Sequence, residues 1–180
     1  RARKEKALDG KFRLITELTE AEEVFAACET AERVGVHLLS EKASGVAGLG
    51  LCFSENDIYV VKCQGFLTQG YVTERLGRLQ RRTFLCGFFL KGIYPYFAGD
   101  EVKDCFDIQL AAYLLNPLKS DYTIEDVANE YLELGMQGYG EYFGKKSLAE
   151  AAQEEEAFTA YGCYGAYTAY MAQPVLEKRL

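Results

Sequence analysis

Between Arg33 and Lys62 the chain offers three strand candidates in close succession, Arg33–Ser40, Val46–Phe53 and Ile58–Lys62, joined by Glu41-Lys42-Ala43-Ser44-Gly45 and Ser54-Glu55-Asn56-Asp57. Apolar runs separated only by clusters of turn formers are most simply consecutive antiparallel neighbours in one sheet. This meander constrains everything around it. Leu67, Tyr71, Val72, Leu76 and Leu79 then recur at helical spacing over Leu67–Leu79, and the Arg82–Gly87 run follows as a fourth strand. A strand that returns after a crossover helix is expected parallel to an earlier one. Upstream, Phe12–Ile15 reads as a short strand, and Thr19 with Glu22 reads as a capping box opening a helix through Cys28.

The second half is helical in pattern. Phe106–Leu115 reads as a helix stopped by Asn116-Pro117, because the residue before proline is pushed out of the α region. Thr123 and Asp126 cap the next one, Thr123–Leu132. The glycine-rich stretch from Leu134 to Lys146, with two tyrosines expected to be exposed, reads as a mobile loop. Ser147 and Glu150 form a second capping box, opening a last helix that Pro174 is expected to end or kink near Gln173. Glu154, Glu155 and Glu156 lie early in it, at the positive end of the helix dipole. The fold class is α/β: a mixed sheet, the three-strand antiparallel meander plus parallel strands, flanked by helices.

Composition narrows the function classes. With 180 residues, 49% of them apolar, the chain builds one core without metals or disulfides, so residues 1–180 read as a single domain with 1–11 as a linker. Twenty Lys and Arg against 27 Asp and Glu leave a net charge of −7, which opposes attraction to phosphate. The longest apolar runs, Val46–Phe53 and Thr83–Leu90, fall far short of the roughly 20 residues that span a bilayer. No membrane association is expected, and with no signal-peptide pattern the location reads as cytoplasmic. The start at Arg1, with the basic cluster Arg1-Ala2-Arg3-Lys4, suggests a piece of a longer protein. The six cysteines form no C-x-x-C pair and the single histidine is His37, so a structural zinc quartet is not expected and the cysteines read as small buried hydrophobes.

Distinctive sequence lies in the middle third. Phe106-Asp107-Ile108-Gln109-Leu110-Ala111-Ala112-Tyr113-Leu114-Leu115-Asn116-Pro117 is followed by Tyr122-Thr123-Ile124-Glu125-Asp126-Val127-Ala128-Asn129-Glu130-Tyr131-Leu132. This resembles the 3′-5′ exonuclease domain of bacterial family A DNA polymerases, DNA polymerase I, where F-D-x-x-L-A-A-Y-L-L-x-P precedes Y-x-hydrophobic-x-D-V-A-x-x-Y-L. The resemblance implies a ribonuclease H-like fold from Phe12 onward. Active members use Mg2+ or Mn2+, held by an Asp-x-Glu on the first meander strand, an Asp after the fourth strand and a Tyr-x-x-x-Asp on the last helix. Hard divalent ions require such carboxylate oxygens, and a metal pair clamps both attacking water and leaving oxygen.

Carried over residue by residue, the pattern implies that this chain lacks those carboxylates. His37 falls where the Asp is expected, Leu39 where the Glu is expected, Ile93 in the third position (Gly87-Phe88-Phe89-Leu90-Lys91-Gly92-Ile93 against G-x-N-L-K-x-D) and Gly165 in the fourth. Tyr161 keeps the tyrosine of the last motif. Independently of register, Arg33–Ser40, Thr83–Gly99 and Ala157–Leu176 contain no Asp or Glu at all. Glu41 and Glu154–Glu156 flank these windows and read as solvated charges. One histidine does not make a metal site.

Tyr161, Tyr164, Tyr167 and Tyr170 recur every third residue. At about 100° per residue they sweep roughly half the helix and do not face a single DNA strand, so most are expected to pack inward, with Tyr161 lining what is left of the cleft. Arg75, Arg78 and Arg82 share a helical face and, with Arg81 and Lys91, offer a local basic patch, more simply a solvated face. The resemblance thus implies a catalytically silent domain, not an enzyme by itself, with no cofactor and a structural role in DNA replication or repair. Its partner would be the polymerase domain of the same chain, with primer–template or single-stranded DNA reached in the full-length protein, and the fragment itself would be a monomer. A working proofreading exonuclease with an altered metal site, and a non-catalytic module that docks DNA or protein, are the alternatives.

Overall fold

A computed structural model describes residues 8–96 and 105–180. The meander stands at its centre: β2 (Arg33–Glu41), β3 (Gly45–Ser54) and β4 (Asp57–Lys62) pair antiparallel, with Val36 opposite Leu51 and Leu51 opposite Tyr59. β1 (Phe12–Ile15) runs parallel to β4, and β5 (Phe84–Gly87) returns parallel to β2. β6 (Cys105–Asp107) adds to β5, giving a six-stranded mixed sheet in the order β1-β4-β3-β2-β5-β6.

Period-two alternation along β2 decides what each face meets. Val34 and Val36 point into a core shared with α1 (Leu18–Thr30) and α2 (Gln69–Arg82), among them Phe25, Leu76 and Leu79. Gly35, His37 and Leu39 point the other way, toward the long last helix. That second face is covered by α3 (Ile108–Leu115), α4 (Ile124–Leu132), the short α5 (Tyr139–Phe143) and α6 (Leu148–Ala151), and α7 (Glu155–Arg179). No described helix is long and apolar enough to cross a membrane. Cys28, Cys52, Cys86 and Cys163 are fully buried, and burial pushes the Cys86 thiol up to about 12.

Local signals succeed where the deciding contact is local. Thr123 and Asp126 form the expected capping box, as do Ser147 and Glu150. Five expectations need correction. α1 begins at Leu18, before Thr19, because the Glu17 carbonyl already accepts from Ala21 N–H, and no side chain caps it. Phe106 belongs to strand β6, and Asp107, accepting from the N–H groups of Gln109 (2.9 Å) and Leu110 (3.4 Å), starts the helix after it.

The stretch expected to be a mobile loop is instead pinned. Asn129 accepts from Met136 N–H at 2.7 Å, and α5 follows with Phe143 buried. The Ser147 box opens only the four residues of α6, since Gln153 and Glu154 N–H groups tighten onto Glu150 and Ala151 carbonyls before α7 begins afresh. Finally, α7 runs on through Pro174. Of the expected linker, residues 1–7 lie outside the described ones, and Leu8 is buried.

Candidate functional site

Helix α7 lies on β2 and β3 almost backbone to backbone. A Cβ added to Gly35 would stand 2.3 Å from the Ala166 carbonyl oxygen, and one on Gly50 2.4 Å from that of Gly162. Only hydrogen at these positions lets the helix descend so far. The descent presses Tyr161–Gly165 against His37 and Leu39.

His37 meets Gly165 directly. A Cβ on Gly165 would lie 1.8 Å from His37 Nδ1 and 2.4 Å from Cγ, so the imidazole occupies the volume where a side chain at 165 would begin. Its Nδ1 is buried without a hydrogen bond, and the ring tilts against Tyr161 with centroids 5.1 Å apart. Burial pushes the imidazole down to about 4, against the opposing pull of the Gly162 and Tyr161 carbonyls, so it is neutral at pH 7. Leu39 is buried beside Gly162, its Cδ1 3.1 Å from where a Cβ of that glycine would be. Ile93 is buried as well, and shares with His37 the lining of a cavity of about 380 Å³. The structure thus gathers His37, Leu39, Tyr161 and Gly165 into one contact cluster, and Ile93 joins it only through the cavity lining it shares with His37.

A second cavity, about 190 Å³, is also lined by His37, together with Ser40, Glu41, Tyr139, Lys146 and Tyr161. Tyr161 is the hub of a ring cluster, with centroids 5.6, 5.9 and 5.9 Å from Tyr139, Tyr142 and Phe143. Burial pushes its phenol up to about 12. Glu41, the acid nearest this cluster in sequence, has both oxygens engaged: Oε1 accepts from Ser44 Oγ at 2.9 Å and Oε2 from Leu148 N–H at 3.2 Å, at the start of α6. Glu154 pairs with Lys146, and Glu155 with Lys62 at 3.0 Å.

Among the described residues no three His, Cys, Asp or Glu side chains converge to hold a metal ion. The four mapped positions offer a neutral imidazole, two alkyl chains and a hydrogen, none of which supplies the anionic oxygens that Mg2+ or Mn2+ requires. These residues do not fit a two-metal centre.

The remaining candidates disperse. Tyr164 sets its edge on Phe12 with centroids 4.8 Å apart, Tyr167 lines a cavity with Leu8 and Tyr131, and the Arg33 guanidinium lies 3.9 Å above the Tyr170 ring. Arg75, Arg78 and Arg82 do share a face, but all three converge on Glu29, at 3.9, 3.8 and 3.0 Å, on the side of the sheet away from α7. Arg81 is exposed, and the Lys91 side chain lies outside the described ones. Sequence reasoning passed over Tyr139, Tyr142 and Phe143, read as loop, and Phe89. The signal for Phe89 was present, since it takes the Asn position of G-x-N-L-K.

This arrangement of strands and helices has solved counterparts. At a TM-score of 0.66 and 12% identity the chain is similar to Brucella melitensis NrnC, covering 94% of this chain and 80% of that one. The chain has a 3′-5′ exonuclease-like fold. It is similar to Escherichia coli RNase D, an exoribonuclease involved in structured RNA processing, at a TM-score of 0.60 and 11% identity over 93% of this chain and 44% of that one. It is similar too to the POL domain of Pol1 from M. smegmatis in complex with DNA primer-template and dNTP, at a TM-score of 0.64 and 18% identity, covering 93% of this chain and 27% of that one. The chain therefore spans about a quarter of that polymerase. No protein-family model and no curated protein matches the sequence.

Proposed function

We propose that this chain is a catalytically silent 3′-5′ exonuclease-like domain of a bacterial DNA polymerase I, acting in the cytoplasm. It is not an enzyme by itself; it serves as a structural element beside the polymerase domain in DNA replication or repair. One observation carries the silence: the His37 ring fills the volume that a side chain at Gly165 would need, so two positions of the metal motif exclude each other sterically as well as lacking oxygen. The polymerase assignment is supported by the Phe106–Pro117 and Tyr122–Leu132 motifs, and by the likeness to a polymerase bound to primer-template. Primer–template or single-stranded DNA would come near this domain through the larger protein, since a net charge of −7 works against capture by the fragment alone.

The test is a digestion of single-stranded DNA with the purified chain in Mg2+ and in Mn2+. No release of 3′ nucleotides above a protein-free control is expected, and Mn2+ is expected to leave the thermal midpoint unchanged. Metal-dependent release that follows the protein through purification would overturn the reading. So would a Mn2+ shift of the midpoint that vanishes in Glu41→Gln or Glu154→Gln.

A further inference from the structure

Two tight turns and one helix face build a small cavity away from the His37 cluster. Lys11 N–H returns to the Leu8 carbonyl at 2.9 Å just before β1, and Leu134 N–H returns to the Ala128 carbonyl at 3.4 Å just after α4. Leu8 and Leu134 are both buried. Tyr167 and Met171 stand four residues apart on α7, and so on one face of that helix. With Lys11, Tyr131 and Leu132 these residues line a cavity of about 370 Å³. That volume lies within the roughly 300–1,000 Å³ of small-molecule sites, which are mostly apolar with a few placed polar groups.

The polar groups of this wall can all donate a proton. Lys11 is half-buried and makes no ion pair or side-chain hydrogen bond with any described residue, whereas Lys62, Lys119 and Lys146 each have a carboxylate. The hydroxyls of Tyr131 and Tyr167 likewise have no hydrogen-bond partner among the described residues. Burial, and then the charge of Glu130 on Tyr131 and of Glu55 on Tyr167, raises both phenols, so both keep their proton at pH 7. Neither acid lines the cavity, and no described Asp or Glu does. A second cation stands close, the Arg179 guanidinium 5.3 Å from the centre of the Tyr131 ring.

Unpaired donors with no acid in the wall select an anion. Three leucines, a methionine and two tyrosine rings select an apolar, flat body for it. A nucleotide would bring a phosphate dianion and a ribose to a wall of one cation and two hydroxyls, too few partners for both. We propose that this cavity binds a small aromatic monocarboxylate, its ring against Tyr131, Tyr167 and Met171 and its carboxylate on Lys11. The cavity shares no lining residue with the two at His37, so the proposal stands apart from the nuclease-silent reading.

Titration of the ¹⁵N-labelled chain with indole-3-acetate, 3-methylindole, tryptamine and thymidine 5′-monophosphate tests this. Indole-3-acetate is expected to shift the amides of residues 8–11, 131–134 and 167–171 saturably, with a Kd of about 1 mM or tighter. The neutral 3-methylindole should bind about tenfold more weakly, and the cation tryptamine more weakly still. Lys11→Gln is expected to cost indole-3-acetate about tenfold and 3-methylindole nothing, a split that a merely apolar cavity does not produce. Met171→Trp fills the space and should abolish binding of both; Lys11→Gln, a change at a half-buried polar position, carries the test if that variant fails to fold. No saturable shift with indole-3-acetate would overturn the proposal, as would equal affinity for tryptamine or unchanged affinity in Lys11→Gln. Tighter binding of thymidine 5′-monophosphate at the same amides would overturn the carboxylate and assign the cavity to nucleotides.

Discussion

At Gly165 the usual helical preference is expected to reverse sign. Gly→Ala inside a helix ordinarily gains about 1 kcal/mol. Here the new Cβ would meet His37 Nδ1 at 1.8 Å, so Gly165→Ala is expected to cost about 2–3 kcal/mol, the scale of an overpacked core. His37→Ala removes the obstructing atoms. Urea unfolding of the two single variants and the double should therefore give a coupling of about 1.5 kcal/mol or more, the double being more stable than the singles sum to. Additive values would mean that the two residues do not interlock. His37 also links stability to pH. Its folded value, about 4, lies below the ordinary 6.5, so in that window the unfolded chain binds the proton and the folded chain does not. The contribution is complete above pH 6.5 and is lost as pH falls toward 4, by about 2–3 kcal/mol. His37→Asn should flatten that part of the urea-midpoint profile, and an unchanged slope would assign it to other groups.

Helix α7 shows how an element escapes its own stop signal. Pro174 has no N–H for the Tyr170 carbonyl four residues back, which would leave that oxygen without a donor. Arg33, on β2, supplies the donor through Nε at 3.2 Å and lays its guanidinium over the Tyr170 ring. Arg33→Ala is expected to cost about 2–3 kcal/mol, as removal of a charged donor from a partly buried oxygen does. In a Pro174→Ala background the N–H returns, and the same change should cost measurably less by urea unfolding. Equal costs in both backgrounds would show that Arg33 acts through something other than this carbonyl. Pro174 was legible as a helix breaker, but its rescue was not, because the donor sits on a strand 137 residues away. β6 was hidden for another reason: a three-residue strand is too short to show a period, and its Asp107 signals a helix start. The Leu134–Lys146 stretch misled similarly, since its glycines were visible but its anchor, Asn129, lay in the preceding helix.

Among the described residues, exposed apolar surface is concentrated in few places. Leu110, Leu114 and Leu118 follow one another at four-residue steps along α3 and the turn beyond it, at 56%, 64% and 95% exposure. Such a stripe amounts to a few hundred Å², whereas a stable complex needs roughly 800 Å² from each partner. With a net charge of −7 adding repulsion between copies, sedimentation equilibrium at about 10 μM is expected to return a monomer. A dimer that dissociates on Leu114→Lys would contradict this.

What the sequence determined by itself was whatever depends on neighbours along the chain or on covalent composition. The meander follows from alternation and turn residues, the α4 cap from Thr123 and Asp126, and the lack of carboxylates in three windows from the residues themselves. Tertiary structure alone decided that a histidine on β2 fills the space above a glycine on α7, and that an arginine on β2 completes the helix at Pro174. It alone put Phe89 into the left-handed region of backbone space. These are outcomes of excluded volume and donor matching between segments distant in sequence, and no local pattern encodes how closely two backbones approach.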